Sequence, residues 1–156
     1  MQVVLQRVAR AAVRIDGKVV GAIGVGVLAL VGVGHRSTRQ DAAWLAAKTE
    51  VLRIFPDQPR GGPGEPSRGP RNMNRSVAEI GGSVLAISQF TLYADARKGR
   101  RPSFADAASP EVAEALYDVY CAALTVPSAT GAFGAHMEIE LVADGPVTIT
   151  LRRESG

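Results

Sequence analysis

Alternating apolar and polar positions predict short β-strands near both ends of the chain. The predicted strands are Val3–Val8, Ala12–Ile15 and Val19–Ile23 near the N-terminus, and Met137–Leu141 and Val147–Leu151 near the C-terminus. A different pattern occupies Val25–Val33, which is almost continuously apolar. Such a run is typical of a strand that is buried on both faces.

Apolar residues at helical spacing predict two helices. The first extends from Thr38 or Arg39 to Phe55, and the second begins at Ser109-Pro110-Glu111 and ends before Pro127. The second start is favourable because serine caps a helix N-terminus and proline is tolerated at the first helical position. Glutamate there suits the positive end of the helix dipole.

The middle of the chain predicts a loop followed by a hairpin. Residues 56–71 are rich in Gly, Pro and Arg, and they predict an irregular surface loop. Ser76–Ile80 and Ser83–Leu92 predict two strands that Gly81-Gly82 joins in a turn. A further loop is predicted at Thr130–Gly134.

These elements together predict the fold class. Because the strands do not alternate with helices, a doubly wound parallel sheet is disfavoured. We expect one domain over residues 1–156, of the α+β class. Its core is expected to be a curved, largely antiparallel and barrel-like sheet on which the two helices pack.

Gly145-Pro146 lies between the two predicted C-terminal strands, directly after Asp144. Asp-Gly alone favours a tight hairpin turn. The proline, however, removes a backbone N–H where the return strand would begin. Two interpretations therefore stay open: ordinary turn chemistry, or a rigid site that is built from main-chain groups.

Composition excludes several classes of protein. No apolar run reaches the roughly 20 residues of a membrane span, and the N-terminus lacks the layout of a secretory signal. The single cysteine, Cys121, permits no intrachain disulfide and fits a reducing cytoplasm. Because phosphate-binding loops, dinucleotide fingerprints and zinc-spaced Cys/His clusters are missing from the sequence, we expect no cofactor and no metal.

Few side chains are candidates for chemistry. In a strand, Ser88, Phe90 and Leu92 would face one way, and Gln89 and Thr91 the other. Polar groups at the end of a buried strand can form the mouth of a pocket. Thr91 would be a nucleophile only with a base to activate it, and none is visible nearby. β-branching alone explains a threonine in a strand.

Two histidines and the cysteine offer little more. His35 and His136 are isolated in the sequence, although His136 precedes a strand and can line a pocket. A solvent-facing or packed histidine is the simpler interpretation of each. Cys121 lies among apolar residues of the second predicted helix, which favours core packing over reactivity.

The net charge of +3 permits contact with nucleic acid but does not establish it. Most of the local excess lies in Arg97-Lys98-Gly99-Arg100-Arg101. A solvated loop and a phosphate-binding segment are both compatible with this run, because the arginine side chain forms forked contacts with phosphates.

Two segments carry a resemblance to a known family. Ser88-Gln89-Phe90-Thr91-Leu92 and Asp144-Gly145-Pro146-Val147-Thr148 resemble the two signature motifs of the D-aminoacyl-tRNA deacylases. Shorter matches follow in the family's order along essentially the whole chain. They are Leu5–Val8, Arg53–Phe55, Asn72–Asn74, Gly81–Val84, Arg101–Phe104 and Ala115–Asp118.

The resemblance implies an activity and a site. The family hydrolyses the ester between a D-amino acid and the 3′-terminal ribose of tRNA, and it accepts glycine on tRNA(Ala). By resemblance the catalytic segment is Ser88, Gln89, Phe90 and Thr91, and the substrate-binding residues are Met137, Arg7, Gly145 and Pro146. It also implies a cytoplasmic homodimer, in which a cis Gly145-Pro146 peptide enters the partner's pocket and excludes L-amino acids.

One departure and two rival interpretations accompany the resemblance. The family's second motif carries asparagine two residues before its glycine, where this chain has Ala143, so its side chain is either dispensable or a local hydrogen bond is lost. One rival is an RNA-binding module without catalysis, which would use Arg97–Arg101. The other is a hydrolase of small esters that would use Thr91 or Cys121.

Overall fold

The computed structural model describes residues 1–57 and 72–155. The strands are β1 (Gln2–Ile15), β2 (Lys18–Ile23), β3 (Gly26–Gly32), β4 (Phe55–Pro56), β5 (Met73–Arg75), β6 (Ser83–Ser88), β7 (Ser128–Thr130) and β8 (Glu138–Arg152). The helices are α1 (Arg39–Val51), α2 (Pro110–Ala123) and a 3-10 turn at Phe90–Tyr93. Within the described residues, no helix is long and apolar enough to cross a membrane.

The main sheet has the order β2-β1-β3-β6-β7, and β8 pairs with the other side of β1. The pairs of β1 with β2, β3 and β8 are antiparallel, whereas β3 with β6 and β6 with β7 are parallel. The sheet curls until β2 approaches β7. A Cβ added at Gly21 would lie 2.5 Å from the Thr130 carbonyl oxygen, so only glycine permits this approach. The predicted α+β class with a curved, barrel-like sheet is confirmed.

Both faces of β3 are buried, as its apolar run predicts. Val27, Ala29 and Val31 face a core that lies against the helices, and Leu28 faces a second core inside the curl of the sheet. β6 divides its side chains between the same two cores in the same way. The parallel pair β3–β6 is therefore the centre of the molecule.

The predicted hairpin at Ser76–Ile80 and Ser83–Leu92 is wrong. Residues 77–81 form a turn, and β6 pairs in parallel with β3. Parallel partners need a crossover connection. Here α1 belongs to the chain segment that connects β3 to β6, and α2 belongs to the segment that connects β6 to β7. β7 also takes in Thr130, which the sequence places in a loop; a strand of three residues is too short for periodicity to reveal.

Other boundaries differ because tertiary pairing overrides local pattern. β1 runs without a break through residues 9–11, and the two predicted C-terminal strands are one strand, β8, because β1 pairs with both halves of it. Helix α1 ends at Val51, since Leu52 is extended and Phe55–Pro56 pairs with Met73–Arg75 as β4. Pro56, which the sequence places in the predicted loop at 56–71, therefore belongs to a strand. Residues 58–71 of that loop lie outside the described residues.

Buried polar side chains join the two helices to each other and to the segment that follows α2. The hydroxyl of Thr49 lies 2.9 Å from that of Tyr120 in the fully buried centre of the helix pair. The carboxylate of Glu50 accepts hydrogen bonds from the backbone N–H groups of Thr125 and Val126 and from the Thr125 hydroxyl. These contacts satisfy backbone donors in the segment between α2 and β7.

Candidate active site

A cavity of about 550 Å³ opens at the carboxyl ends of the parallel strands β3 and β6. Its walls come from the end of β6, the start of α2 and the segment that leads into β8. The lining residues are Val33, Ile87, Ser88, Gln89, Phe90, Phe104, Ala107, Ala108, Pro110, Ala113, Phe133, Gly134, Ala135, His136, Met137 and Ile139. The carboxyl edge of parallel strands is a common place for a ligand site.

The first motif forms the rim of this cavity, but not as the strand that the sequence predicts. β6 ends at Ser88, where pairing with β3 stops, and the Gln89 N–H still donates to Val31 O at 2.8 Å. The chain then tightens into the 3-10 turn, whose first bond is donated by Leu92 N–H to Gln89 O at 3.3 Å. The predicted alternation of side chains from residue 88 to 92 is therefore wrong beyond Gln89.

This turn leaves main-chain donors near the cavity. Phe90 and Thr91 precede the first hydrogen bond of the turn, so their N–H groups have no partner within it. The Phe90 side chain is 55% exposed and meets Phe104 edge to face, with ring centroids 5.0 Å apart. The rim of the cavity thus combines backbone donors with an exposed aromatic pair.

Two further candidate residues, Met137 and Thr91, differ in their relation to the cavity. Met137 lines the cavity and packs on the core inside the sheet. Thr91 does not line the cavity, and its hydroxyl is bonded to the side-chain amide of Gln89. An amide N–H is a donor, so it cannot accept the proton of a nucleophilic hydroxyl. The neighbouring Gln89 side chain therefore cannot act as the base that would activate Thr91.

The second motif is a main-chain excursion on β8. Gln6 of β1 pairs with Thr148, and Val8 pairs with Ala143, so one residue of β1 faces four residues of β8, Asp144 to Val147. The Gly145-Pro146 peptide is cis, and Gly145 has φ of +134°. A Cβ at Gly145 would lie 2.8 Å from Val147 N, so this backbone conformation requires glycine.

Arg7, the residue opposite the excursion, holds its base. Only 5% of Arg7 is exposed. Its Nε donates to Asp144 O at 2.9 Å and lies 3.3 Å from the Asp144 carboxylate. Its Nη1 donates to Ile54 O at 2.5 Å, and the guanidinium lies over the Phe55 ring. One arginine thereby ties the excursion to the segment after α1.

The two motifs lie far apart within one chain. Arg7 pairs with Val27 near the start of β3, whereas the cavity begins at Val33, just beyond the end of β3. Val27 and Val33 are six residues apart, which is about 20 Å along a strand. Gly145 and Pro146 are exposed and do not line the cavity of their own chain. The fold therefore separates residues that the resemblance assigns to one site.

The other candidate side chains differ in their surroundings. His136 is exposed and lines the cavity, while His35 bonds through its ring to Ala105 O outside it. Cys121 is half-buried against the helix-side core, and burial raises the pKa of its thiol despite the Tyr117 hydrogen bond. A thiol with a raised pKa is a poor nucleophile at neutral pH. Among the described residues, no group of three His, Cys, Asp or Glu side chains is placed to hold a metal.

Sequence reasoning missed three parts of the cavity. Phe104, Phe133 and the first turn of α2 form its outer wall. They come from three separate segments, so no spacing along the chain connects them. The Arg101–Phe104 match was the one signal that could have directed attention to Phe104.

The fold and the cavity define a class: an α+β domain whose candidate site is lined by main-chain groups and apolar side chains, with His136 as its titratable lining residue. A family model described as D-Tyr-tRNA(Tyr) deacylase matches residues 4–152. Similar chains include the D-aminoacyl-tRNA deacylase of Thermomicrobium roseum, which is 53% identical with 97% of this chain and 93% of that protein covered. The D-aminoacyl-tRNA deacylase of Anaeromyxobacter dehalogenans is 51% identical, with 97% and 96% covered. The chain belongs to the D-Tyr-tRNA(Tyr) deacylase family.

Solved structures agree with this fold. One, named c-Myc DNA Unwinding Element Binding Protein, superposes with a TM-score of 0.85 and 34% identity over 98% of this chain and 99% of that one. A probable eukaryotic D-amino acid tRNA deacylase has a TM-score of 0.74 and 18% identity, with 96% and 97% covered, and supports the fold alone. Family membership confirms the prediction of an enzyme of the deacylase class, a hydrolase of the aminoacyl-tRNA ester bond.

Proposed function

We propose that the protein hydrolyses the ester that joins a D-amino acid, or glycine carried by tRNA(Ala), to the 3′-terminal ribose of tRNA. The observation that carries the mechanism is the excursion at Gly145-Pro146, which Arg7 holds in place and which is exposed far from its own chain's cavity. A rigid, exposed main-chain projection is suited to entering the cavity of a second copy.

The edge of β8 supports a homodimer with the site at the subunit interface. Among the described residues, β8 pairs with β1 alone, so on either side of the Asp144–Val147 excursion its other edge faces no strand of the same chain. Exposed strand edges are templates for pairing with another chain. A second copy that approaches this edge would bring its own Gly145 and Pro146 toward the cavity, and thereby complete the site.

Selection against L-amino acids would follow from steric exclusion. A fixed backbone carbonyl beside the Cα of the substrate occupies the space that an L side chain needs. A D side chain points elsewhere, and glycine has none. Because the exclusion recognises no side chain, it accepts D-amino acids of different size. Because Gly145 has no Cβ, its backbone can approach the substrate closely, and the hydrogen bonds of Arg7 hold the excursion in place.

Hydrolysis would use main-chain donors and the substrate itself. Water attacks the carbonyl carbon, and the negative charge develops on the carbonyl oxygen. The N–H groups of Phe90 and Thr91, which have no partner within the 3-10 turn, would stabilise that charge. The ester C–O bond then breaks, the ribose oxygen takes up a proton, and the products are the free amino acid and tRNA. The 2′-hydroxyl of the ribose can orient the water. Ser88, Gln89 and Met137 would hold the aminoacyl group, and no cofactor or metal takes part.

The proposed partner is the aminoacylated 3′-terminal adenosine of tRNA, and a tRNA substrate supports a cytoplasmic location. Thr91 as a covalent nucleophile remains the alternative within this function. An RNA-binding module without catalysis and a hydrolase of small esters remain the alternatives to it. The raised pKa of Cys121 disfavours the thiol version of the last alternative.

One experiment separates these functions. The purified protein is incubated with D- and L-aminoacyl-tRNA that carry the same amino acid on the same tRNA, and ester loss is measured. We expect rapid loss of the D ester and a rate near the uncatalysed one for the L ester. Binding of both without hydrolysis would instead establish the RNA-binding module. Equal cleavage of free D-amino esters would establish the small-ester hydrolase.

A further inference from the structure

Residues 96–103 form an arm beside the cavity, which we call the basic arm. Backbone hydrogen bonds between Asp95 and Ser103, at 2.7 and 2.8 Å, close its base. Gly99, with φ of +72°, lies near its tip, where an added Cβ would meet nothing within 4 Å. The arm is therefore a defined projection rather than a free tail.

The basic arm carries four cations and no acid: Arg97, Lys98, Arg100 and Arg101. Asp95, at the base, binds Arg97 through two hydrogen bonds of 2.8 and 2.7 Å, and this fork lowers the pKa of the Asp95 carboxyl well below its usual range. Within the part of the chain that the structure describes, no ion pair involves the other three cations, and all of them are exposed. Arg97 thus braces the arm, and three charges point to solvent.

The position of the basic arm connects these charges to the cavity. Phe104 follows the arm directly, lines the cavity and contacts the exposed ring of Phe90. Arg101 is three residues before Phe104, which is at most about 10 Å of chain. Exposed aromatic rings next to a cluster of cations are the combination that binds single-stranded nucleic acid.

We infer that the basic arm binds the phosphodiester groups of the unpaired 3′ end of tRNA, directly before the terminal adenosine, through Lys98, Arg100 and Arg101. This inference rests on the proposed function, because it assumes that the aminoacyl-adenosine occupies the cavity. Arginine forks match the geometry of phosphate oxygens, and the described residues that line the cavity include no Lys or Arg to contact them. The arm would then distinguish aminoacyl-tRNA from small esters by charge.

The test compares two double variants on two substrates. Arg100→Ala with Arg101→Ala removes two charges from the arm. Lys18→Ala with Arg39→Ala removes two exposed charges from other elements and serves as the matched control. Each protein is assayed with D-aminoacyl-tRNA and with the corresponding D-aminoacyl-adenosine, which lacks the preceding phosphates, at 50 and 200 mM salt.

We expect the arm variant to lose kcat/KM on D-aminoacyl-tRNA through a raised KM, and to match wild type on D-aminoacyl-adenosine. Two lost phosphate contacts reduce the salt slope by about 1.4 for a single strand. The advantage of wild type over the variant should therefore shrink about sevenfold between 50 and 200 mM salt. The control should behave as wild type on both substrates.

An equal loss on both substrates would overturn the inference, because it would show that the arm only supports the cavity. An unchanged salt slope would overturn it as well. If wild type hydrolyses neither substrate, the proposed function fails, and the arm is then tested by fluorescence anisotropy with uncharged tRNA. Weaker, less salt-dependent binding by the arm variant would then uphold the contact between the arm and the tRNA phosphates but not its link to the cavity, and equal binding would overturn the whole inference.

Discussion

Two regions of the molecule use polar groups in opposite ways. In the helix layer, the buried side chains of Thr49, Glu50 and Tyr120 bond to each other or to the segment that follows α2. At the cavity rim, the N–H groups of Phe90 and Thr91 have no partner within the 3-10 turn, and on β8 the main chain at Gly145 is exposed. In the first region side chains bond to side chains and to the backbone, whereas in the proposed function the second region would present backbone groups to the substrate and to a second copy.

The difference shows which changes should affect stability and which should affect activity. Removing a buried side chain from the first region removes its hydrogen bonds, which lowers the free energy of unfolding. In the proposed function the acting groups of the second region would be N–H and C=O groups, which substitution does not delete. Activity there should depend on the side chains that position the backbone, above all Arg7.

The largest effect is expected for Glu50→Ala. It removes the acceptor of two backbone N–H groups and one hydroxyl. The free energy of unfolding should fall by about 3 kcal/mol, because three part-buried hydrogen bonds are lost and each contributes about 1 kcal/mol. Denaturant unfolding measures this loss, while kcat per folded molecule should stay near wild type.

Glu111→Ala is the matched control, since Glu111 is an exposed glutamate of α2. Its substitution should change the free energy of unfolding by no more than about 0.5 kcal/mol. If Glu50→Ala abolished hydrolysis in protein that is still folded, the proposed division between the two regions would be wrong.

A smaller effect, on activity, is expected for Arg7→Lys. Lysine keeps the charge but lacks the fork that reaches both Asp144 O and Ile54 O. If the excursion moves by about 1 Å, hydrolysis of D-aminoacyl-tRNA should fall about 10²-fold. The ratio of D to L hydrolysis should fall as well, which simple destabilisation would not produce.

Arg10→Lys provides the control on the same strand, because Arg10 is exposed. Arg10→Lys should leave the rate of D-aminoacyl-tRNA hydrolysis and the ratio of D to L hydrolysis at their wild-type values. Full selectivity in a folded Arg7→Lys protein would show that the excursion does not need this arginine.

The smallest effect is expected for Thr91→Ala. The backbone N–H of residue 91 survives the change, and the lost hydroxyl makes one neutral hydrogen bond with Gln89. Such a bond is worth about 1 kcal/mol, so kcat should fall by no more than about fivefold. Thr91→Ser should retain more of the wild-type kcat than Thr91→Ala does. A rate equal to the uncatalysed one in folded Thr91→Ala protein would restore Thr91 as the nucleophile.

Sequence patterns predicted the elements better than their partners. The burial of β3 on both faces and the start of α2 at Pro110 are confirmed, because each depends on residues that are close in sequence. The predicted hairpin of Ser76–Ile80 with Ser83–Leu92 is wrong because β6 pairs with β3, which lies more than fifty residues earlier in the chain. The prediction of two C-terminal strands was wrong because the sequence of Asp144–Val147 is typical of a turn. In the structure β1 pairs with the residues on both sides of this segment, which makes them one strand, β8.

The candidate site divides in the same way. The sequence by itself determined the family motifs, the arginine run and the scarcity of acid and base side chains, since these are properties of residue order. Only the tertiary structure decided that Ser88–Phe90 meets Phe104 at one end of β3, that Arg7 holds Asp144 at the other, and that about 20 Å separates the two ends. The reason is that strand pairing joins residues distant in sequence, and a local pattern carries no information about which strand lies alongside.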